Sequence, residues 1–272
     1  VCIFFLNIPF PLIILGANRW VERRFGQRFD AYTEMLPLIG SKEGLSHLPM
    51  AVCNPGDVAI VPEPGYQAYI GGSMLAGAEP VIVPLRPEHN FLVELDTLPE
   101  ETLRRAKVVF VNYPNNPTAA VAPREYLERL VASCRKHGIV LAYDNPYCDL
   151  TFDGYVAPSI FEIEGAREVA VEYFSLSKSF QMTGWRLGFV VGRSELITAL
   201  TKVKSYVDTG PFLALQAAGA WTLDHAEELV KPIVAELQVR RDAAVDALRA
   251  HGFVVEVPKA AMYVWIALPA GI

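Results

Sequence analysis

Lys178 stands among hydroxyl side chains, Ser175, Ser177 and Ser179, and Arg186 follows eight positions on, just ahead of Gly188. Serines compete with the backbone for hydrogen bonds, so this stretch makes a poor helix face. Val169 to Ser175 and Leu187 to Val191 read as short apolar strands on either side. Lys178 is therefore expected on a turn between two buried strands. An ammonium desolvated there has a lowered pKa and becomes a usable amine nucleophile, whereas a solvated loop lysine would do nothing. Three further polar clusters sit in comparable places: Gly40-Ser41-Lys42, Asn112 to Asn116, and Asp144-Asn145-Pro146-Tyr147.

The elements around these clusters alternate. Strands are expected at Val58 to Val61, Glu79 to Val83, Val108 to Val111 and Ile139 to Ala142. Helical patterns fall at Glu43 to Val52, Tyr66 to Ala76, Arg124 to His137, Glu195 to Ser205, Phe212 to Leu223 and Lys231 to His251. Phe253 to Val257 and Met262 to Ala267 read as late strands. Apolar strands alternating with helices predict an α/β fold with a mainly parallel sheet. Such sheets place ligands at the C-terminal ends of their strands, where three of the polar clusters fall. The Gly40-Ser41-Lys42 cluster opens a helix, whose free N–H groups suit an anion; Ser41 could equally be a plain N-cap.

Composition narrows the function classes. With 52% hydrophobic and 20% charged residues, the 272-residue chain can bury a large core. A net charge of -6 argues against a nucleic-acid surface. The four cysteines show no CxxC and no metal-ligand spacing, which suggests a reduced, cytoplasmic protein and no metal. Val1 to Gly16 is apolar but shorter than a membrane span, and it is broken by Pro9 and Pro11. It lacks the basic start of a signal peptide and reads as non-native sequence or an irregular buried lead-in. The first residue is valine, so the chain is read as a fragment.

A lysine amine, a buried carboxylate, a tyrosine, an asparagine, an arginine and an anion nest on one sheet edge are what pyridoxal phosphate requires. The lysine forms a Schiff base with the aldehyde. The carboxylate keeps the pyridine nitrogen protonated. Tyrosine and asparagine bond the phenolic oxygen, and the phosphate takes a helix N-terminus, hydroxyls and a guanidinium.

The chain resembles the class I/II aminotransferases, the fold-type I pyridoxal phosphate enzymes. YPNNPTA resembles the N-P-T-G loop of that family, DNPY its D-x-x-Y, and SLSKSFQMTGWRLG its S-x-S-K…G-x-R-x-G signature. LPLIGSKEGL and VPEPGYQAY are most similar to its LL-diaminopimelate aminotransferase group. One departure is Ala119-Ala120, where glycine usually follows the threonine.

The resemblance implies a three-layer large domain over residues 19–223. It also implies the start of a smaller C-terminal α+β domain over 224–272, with 1–18 an atypical lead-in. It makes Lys178 the catalytic and cofactor-bearing residue, and Asp144 the partner of the pyridine nitrogen. Tyr147 and Asn116 hold the phenolic oxygen. Ser175, Ser177 and Arg186 hold the phosphate with the backbone of Ser41 and Lys42, and Tyr66 stacks on the ring. It further implies transamination between an amino acid and a 2-oxo acid in a homodimer. A carbon–sulfur lyase with the same machinery is the alternative. The family's carboxylate-clamping arginine would follow Ile272, and its usual N-terminal segment is not matched by Val1 to Asn18. The 272-residue chain is accordingly expected to be a weak catalyst by itself.

Overall fold

In the computed structural model, which describes residues 11–268, a seven-stranded sheet forms the middle layer. The chain enters through α1 (Leu12–Phe25) and β1 (Met35–Leu38), followed by α2 (Ser41–Val52), β2 (Val58–Glu63), α3 (Gln67–Leu75) and β3 (Glu79–Pro84). A short α4 (Glu100–Arg105) leads into β4 (Ala106–Asn112), then α5 (Arg124–His137) and β5 (Val140–Asp144). β6 (Ala170–Ser175) passes through the one-turn α6 (Leu176–Ser179) and returns as β7 (Gly188–Gly192). Helices α7 (Ser194–Lys204), α8 (Leu213–Asp224) and α9 (Ala226–Ala250) complete the set.

The strand order is β1-β7-β6-β5-β4-β2-β3. β7 pairs antiparallel with both its neighbours, and the remaining pairs are parallel. The central strands β4, β5 and β6 are buried along almost their whole length, as a sheet covered on both faces demands. Alternate residues serve opposite layers. Val109, Val111, Leu141, Tyr143 and Phe174 pack with α1 and α5. Val108, Phe110, Ala142, Val171 and Tyr173 pack with Leu45 and Leu48 of α2, Tyr69 of α3 and Ile197 of α7. Burying a leucine or valine side chain there stabilises by about 1.5–3 kcal/mol.

Several expectations need correction. Lys178 lies in α6 and not on a turn, because Ser175 caps it by accepting from Ser177 N. The serine that should discourage a helix instead starts one. Ser41 is the first residue of α2 and not its cap; the cap position is Gly40, with no side-chain bond. The lead-in is helical from Leu12, and Ile13, Ile14 and Ala17 are core residues. The part of that segment over Val1 to Phe10 lies outside the described residues. Phe253 to Val257 and Met262 to Ala267 are not strands. A strand needs a ladder partner, and their region has only the bridge between Thr151 and Ala260.

Candidate active site

β4, β5 and β6 run parallel and end on the same edge, at Asn112, Asp144 and Ser175. Register places Asn112 opposite Asp144, and Asn112 Nδ2 donates to the Asp144 carbonyl at 2.7 Å. Asn112 Oδ1 accepts from Asn116 N at 2.7 Å, so one side chain ties the NYPNNP loop to the end of β5. Asn115 then folds the loop back by accepting from Thr118 N and Thr118 Oγ1.

The β6–β7 reversal, with the last residue of β6, carries four of the candidate residues: Ser175, Ser177, Lys178 and Arg186. Ser175 pairs with Gly188, and Leu176 N donates to Leu187 O at 3.2 Å. Thr183 Oγ1 donates to Ser177 O at 3.0 Å, and Arg186 Nη1 donates to Thr183 O at 3.0 Å. Arg186 has φ 54°, a left-handed conformation that a non-glycine residue adopts only when its surroundings demand it. Its guanidinium lies against Gly40, where φ is 74° and ψ 151°. A Cβ at Gly40 would overlap that guanidinium. A Cβ at Gly188 would lie 2.8 Å from Ser41 N, so both glycines permit the close approach of the reversal to the start of α2.

The start of α2 is itself anchored. Glu43 Oε2 accepts from Ile39 N at 2.6 Å, and Glu43 Oε1 accepts from Lys204 Nζ of α7 at 2.7 Å. Lys204 also bonds Asp208 at 2.7 Å, with only 7% of its side chain exposed. The free N–H groups at Ser41 and Lys42 thereby keep a fixed place, and the helix dipole adds positive potential there.

All ten candidate residues line one cavity of about 170 Å³: Ser41, Lys42, Tyr66, Asn116, Asp144, Tyr147, Ser175, Ser177, Lys178 and Arg186. Asn112, Pro146 and Thr183 complete its wall. Lys42 Nζ lies 5.6 Å from the centre of the Tyr66 ring, within cation–π reach. Burial pushes the Asp144 carboxyl up to about 7, against the Tyr69 hydrogen bond and the Lys178 charge, which favour ionisation. Burial likewise raises the Tyr147 phenol far above its ordinary value. Tyr66 is raised by burial and the Asp144 charge, and Arg186 opposes that.

Sequence reasoning passes over two residues of this neighbourhood. Tyr69 donates to Asp144 Oδ2 at 2.6 Å, and the Tyr263 and Tyr147 hydroxyls meet at 2.7 Å. Tyr69 follows Tyr66 by three positions, so helical spacing would have put both on one face of α3. Nothing local marks Tyr263, which arrives from far along the chain. Elsewhere, a larger hollow of about 780 Å³ opens between α1 and the start of α9. Of its lining charges, Arg24 pairs with Asp149 at 3.1 Å and Arg23 with Asp224 at 3.8 Å, and none of the candidate residues reaches it. Among the described residues no cluster could hold a metal ion, and no helix is long and apolar enough to cross a membrane.

Comparison with known proteins agrees with the motifs. Residues 18–271 match the family described as aminotransferase class I and II. LL-diaminopimelate aminotransferase of Halothermothrix orenii is 45% identical over 252 residues, covering 93% of this chain and 65% of that protein. Apo-BacF of Bacillus subtilis superposes with a TM-score of 0.92 at 33% identity, over 96% of this chain and 67% of the other. N-succinyldiaminopimelate aminotransferase of Mycobacterium tuberculosis gives a TM-score of 0.84 at 28% identity, over 93% and 67%. The chain thus spans about 65% of the length of the curated relatives it matches. With its family match and this shared fold, the chain belongs to the class I and II aminotransferases.

Proposed function

We propose that this chain is the cofactor-binding core of a pyridoxal-phosphate-dependent aminotransferase. It moves an amino group between an amino acid and a 2-oxo acid, and LL-diaminopimelate is the first candidate donor. The observation that carries the reading is the convergence of Lys178, Asp144, Tyr147 and Arg186 on one cavity. The similarity to LL-diaminopimelate aminotransferases supports the choice of donor.

The residues fit the cofactor. Asp144 Oδ1 is buried and makes no hydrogen bond, which is the acceptor a protonated pyridine nitrogen needs. The N–H groups at the start of α2, the hydroxyls of Ser175 and Ser177 and the Arg186 guanidinium form a cradle for a phosphate dianion. Tyr147 and Asn116 would hold the phenolic oxygen, and Tyr66 would cover the ring face. Bound there, the cofactor supplies an electron sink for a carbanion. Lys178 Nζ would hold the aldehyde carbon and, once displaced, carry the proton taken from the substrate α-carbon. Asp144 would keep the ring nitrogen charged, and the buried wall of β4–β6 would exclude water. Residues 19–223 carry the cavity, and 224–272 bring Tyr263 to its edge. Homodimerisation belongs to the same reading.

The test is an absorption spectrum of the purified chain with pyridoxal phosphate, before and after borohydride, beside Lys178→Ala. A visible band fixed by reduction and missing from the variant is expected. Its absence from wild type and from a version extended to the length of its relatives alike would overturn the reading. Release of pyruvate and ammonia from a cysteine-type substrate without a 2-oxo acid would show a lyase instead.

A further inference from the structure

The loop that follows Asp144 is stitched to the C-terminal segment. Phe152 N donates to Lys259 O at 2.9 Å, and Ala261 N donates to Leu150 O at 2.8 Å. Thr151 and Ala260 form an antiparallel bridge between them. Arg241 of α9 secures the same junction, through Pro258 O at 3.0 Å and Asp153 Oδ2 at 2.6 Å. Ala119 and Ala261 adopt left-handed φ values of 60° and 68°, and both are buried in one cluster with Tyr147 and Leu150. Each such conformation costs about 1–2 kcal/mol in a residue with a Cβ, so the surrounding packing must impose it.

What this arrangement delivers is Tyr263. Its ring stands edge-on to that of Tyr147, 5.7 Å between centres at 76°, with the hydroxyls 2.7 Å apart. It also lies close enough to act on Tyr66. Two phenols at that distance share one proton between their oxygens: one donates and the other accepts. Any ligand oxygen that Tyr147 serves from the cavity wall requires Tyr147's own proton. Tyr263 must then be the donor of the pair. A phenol that accepts a hydrogen bond becomes a stronger donor itself.

We propose that Tyr263 is a positioning residue of the cavity: its hydroxyl donates to Tyr147 and turns the Tyr147 proton toward the oxygen of the bound ligand. The ligand half of this proposal rests on the pyridoxal phosphate reading above.

The experiment has two arms on the 272-residue chain, each comparing wild type with Tyr263→Phe, which keeps the ring and removes the hydroxyl. The first is cofactor-free. With tyrosine labelled at Cζ by ¹³C, and Tyr147→Phe used for assignment, Tyr263→Phe should shift the Tyr147 signal and leave those of Tyr143 and Tyr173 in place. An unmoved Tyr147 signal overturns the proposal, and general misfolding would show as movement of all three. The second arm titrates the visible band of the pyridoxal-phosphate-loaded protein with pH. A weaker Tyr147 donor leaves more electron density on the phenolic oxygen, so the midpoint should rise by about half a unit or more. An unchanged midpoint overturns the ligand half. If wild type shows no reducible band, the ligand half falls for this 272-residue chain, and the labelled signal still decides the tyrosine pair.

Discussion

The Tyr69 hydroxyl donates to Asp144 Oδ2 at 2.6 Å, with both residues buried, and the Tyr69 ring lies parallel to Phe110 at 4.8 Å. α3 thus holds from its own layer a carboxyl that lines the same cavity as Lys178. Tyr69→Phe would leave one more Asp144 oxygen without a donor and cost about 1–3 kcal/mol of stability. Denaturant unfolding should show that loss, and cofactor affinity should fall with it. Affinity unchanged at full loss of stability would mean that the bond serves folding alone.

The approach of Arg186 to Gly40 predicts a phosphate-specific defect. Gly40→Ala introduces a Cβ where the guanidinium lies and strains a backbone conformation that is nearly glycine-only, at about 1–3 kcal/mol. Wild type should prefer pyridoxal phosphate to pyridoxal, and the variant should lose about tenfold of that preference. Arg186→Lys, which gives up fork geometry and keeps charge, should lose part of it. Equal weakening toward both ligands would place Arg186 outside the phosphate cradle.

The ion cluster behind α2 acts on the same end of the ligand from farther away. Lys204→Met leaves Glu43 and Asp208 facing each other without their cation. Breaking a buried pair by removing one partner costs about 3–5 kcal/mol. Thermal unfolding should register that loss, and Glu43, which also accepts from Ile39 N, should no longer fix the start of α2. A Lys204→Met protein as stable as wild type would show the cluster to be ornamental.

Two buried carboxyls set a pH dependence for the ligand-free chain. Burial pushes Glu172 up to about 8, against its hydrogen bonds from Ser159 and Asn145, and Asp144 up to about 7. The ordinary values are 4.5 and 3.8, so between those and the folded values the folded state holds protons that the unfolded state has released. The stability these two groups contribute is then full below about pH 4 and falls as pH rises toward 8. Glu172→Gln carries no titrating group and should flatten the upper part of that fall. Parallel melting-temperature profiles from pH 5 to 9 would exclude Glu172 as a source.

How much of this could be read beforehand differs by residue. α5 was legible to the residue, because Arg124–His137 has an unbroken apolar stripe and Gly138 follows at φ 67°. The sheet edge was legible because short apolar strands end in polar clusters, and the ten residues named from motifs share one cavity. Local rules misjudge α6, since Ser175 can compete with a helix or cap it, and only its neighbours decide. They misjudge 253–267 because strand propensity without a partner strand makes no ladder. Tyr69 was within reach through its three-residue spacing from Tyr66, whereas Tyr263 escapes because its partner lies 116 positions away, which no spacing rule reaches.

The reversal from β6 to β7 closes on itself through the Ser175–Gly188 pair, with Lys178 and Arg186 both inside it. An amine that must find an aldehyde and a guanidinium that must find a phosphate are thereby mounted on one closed ring of backbone. Under the pyridoxal phosphate reading, the two ends of the cofactor are therefore met by side chains whose backbones are tied through a single strand pair.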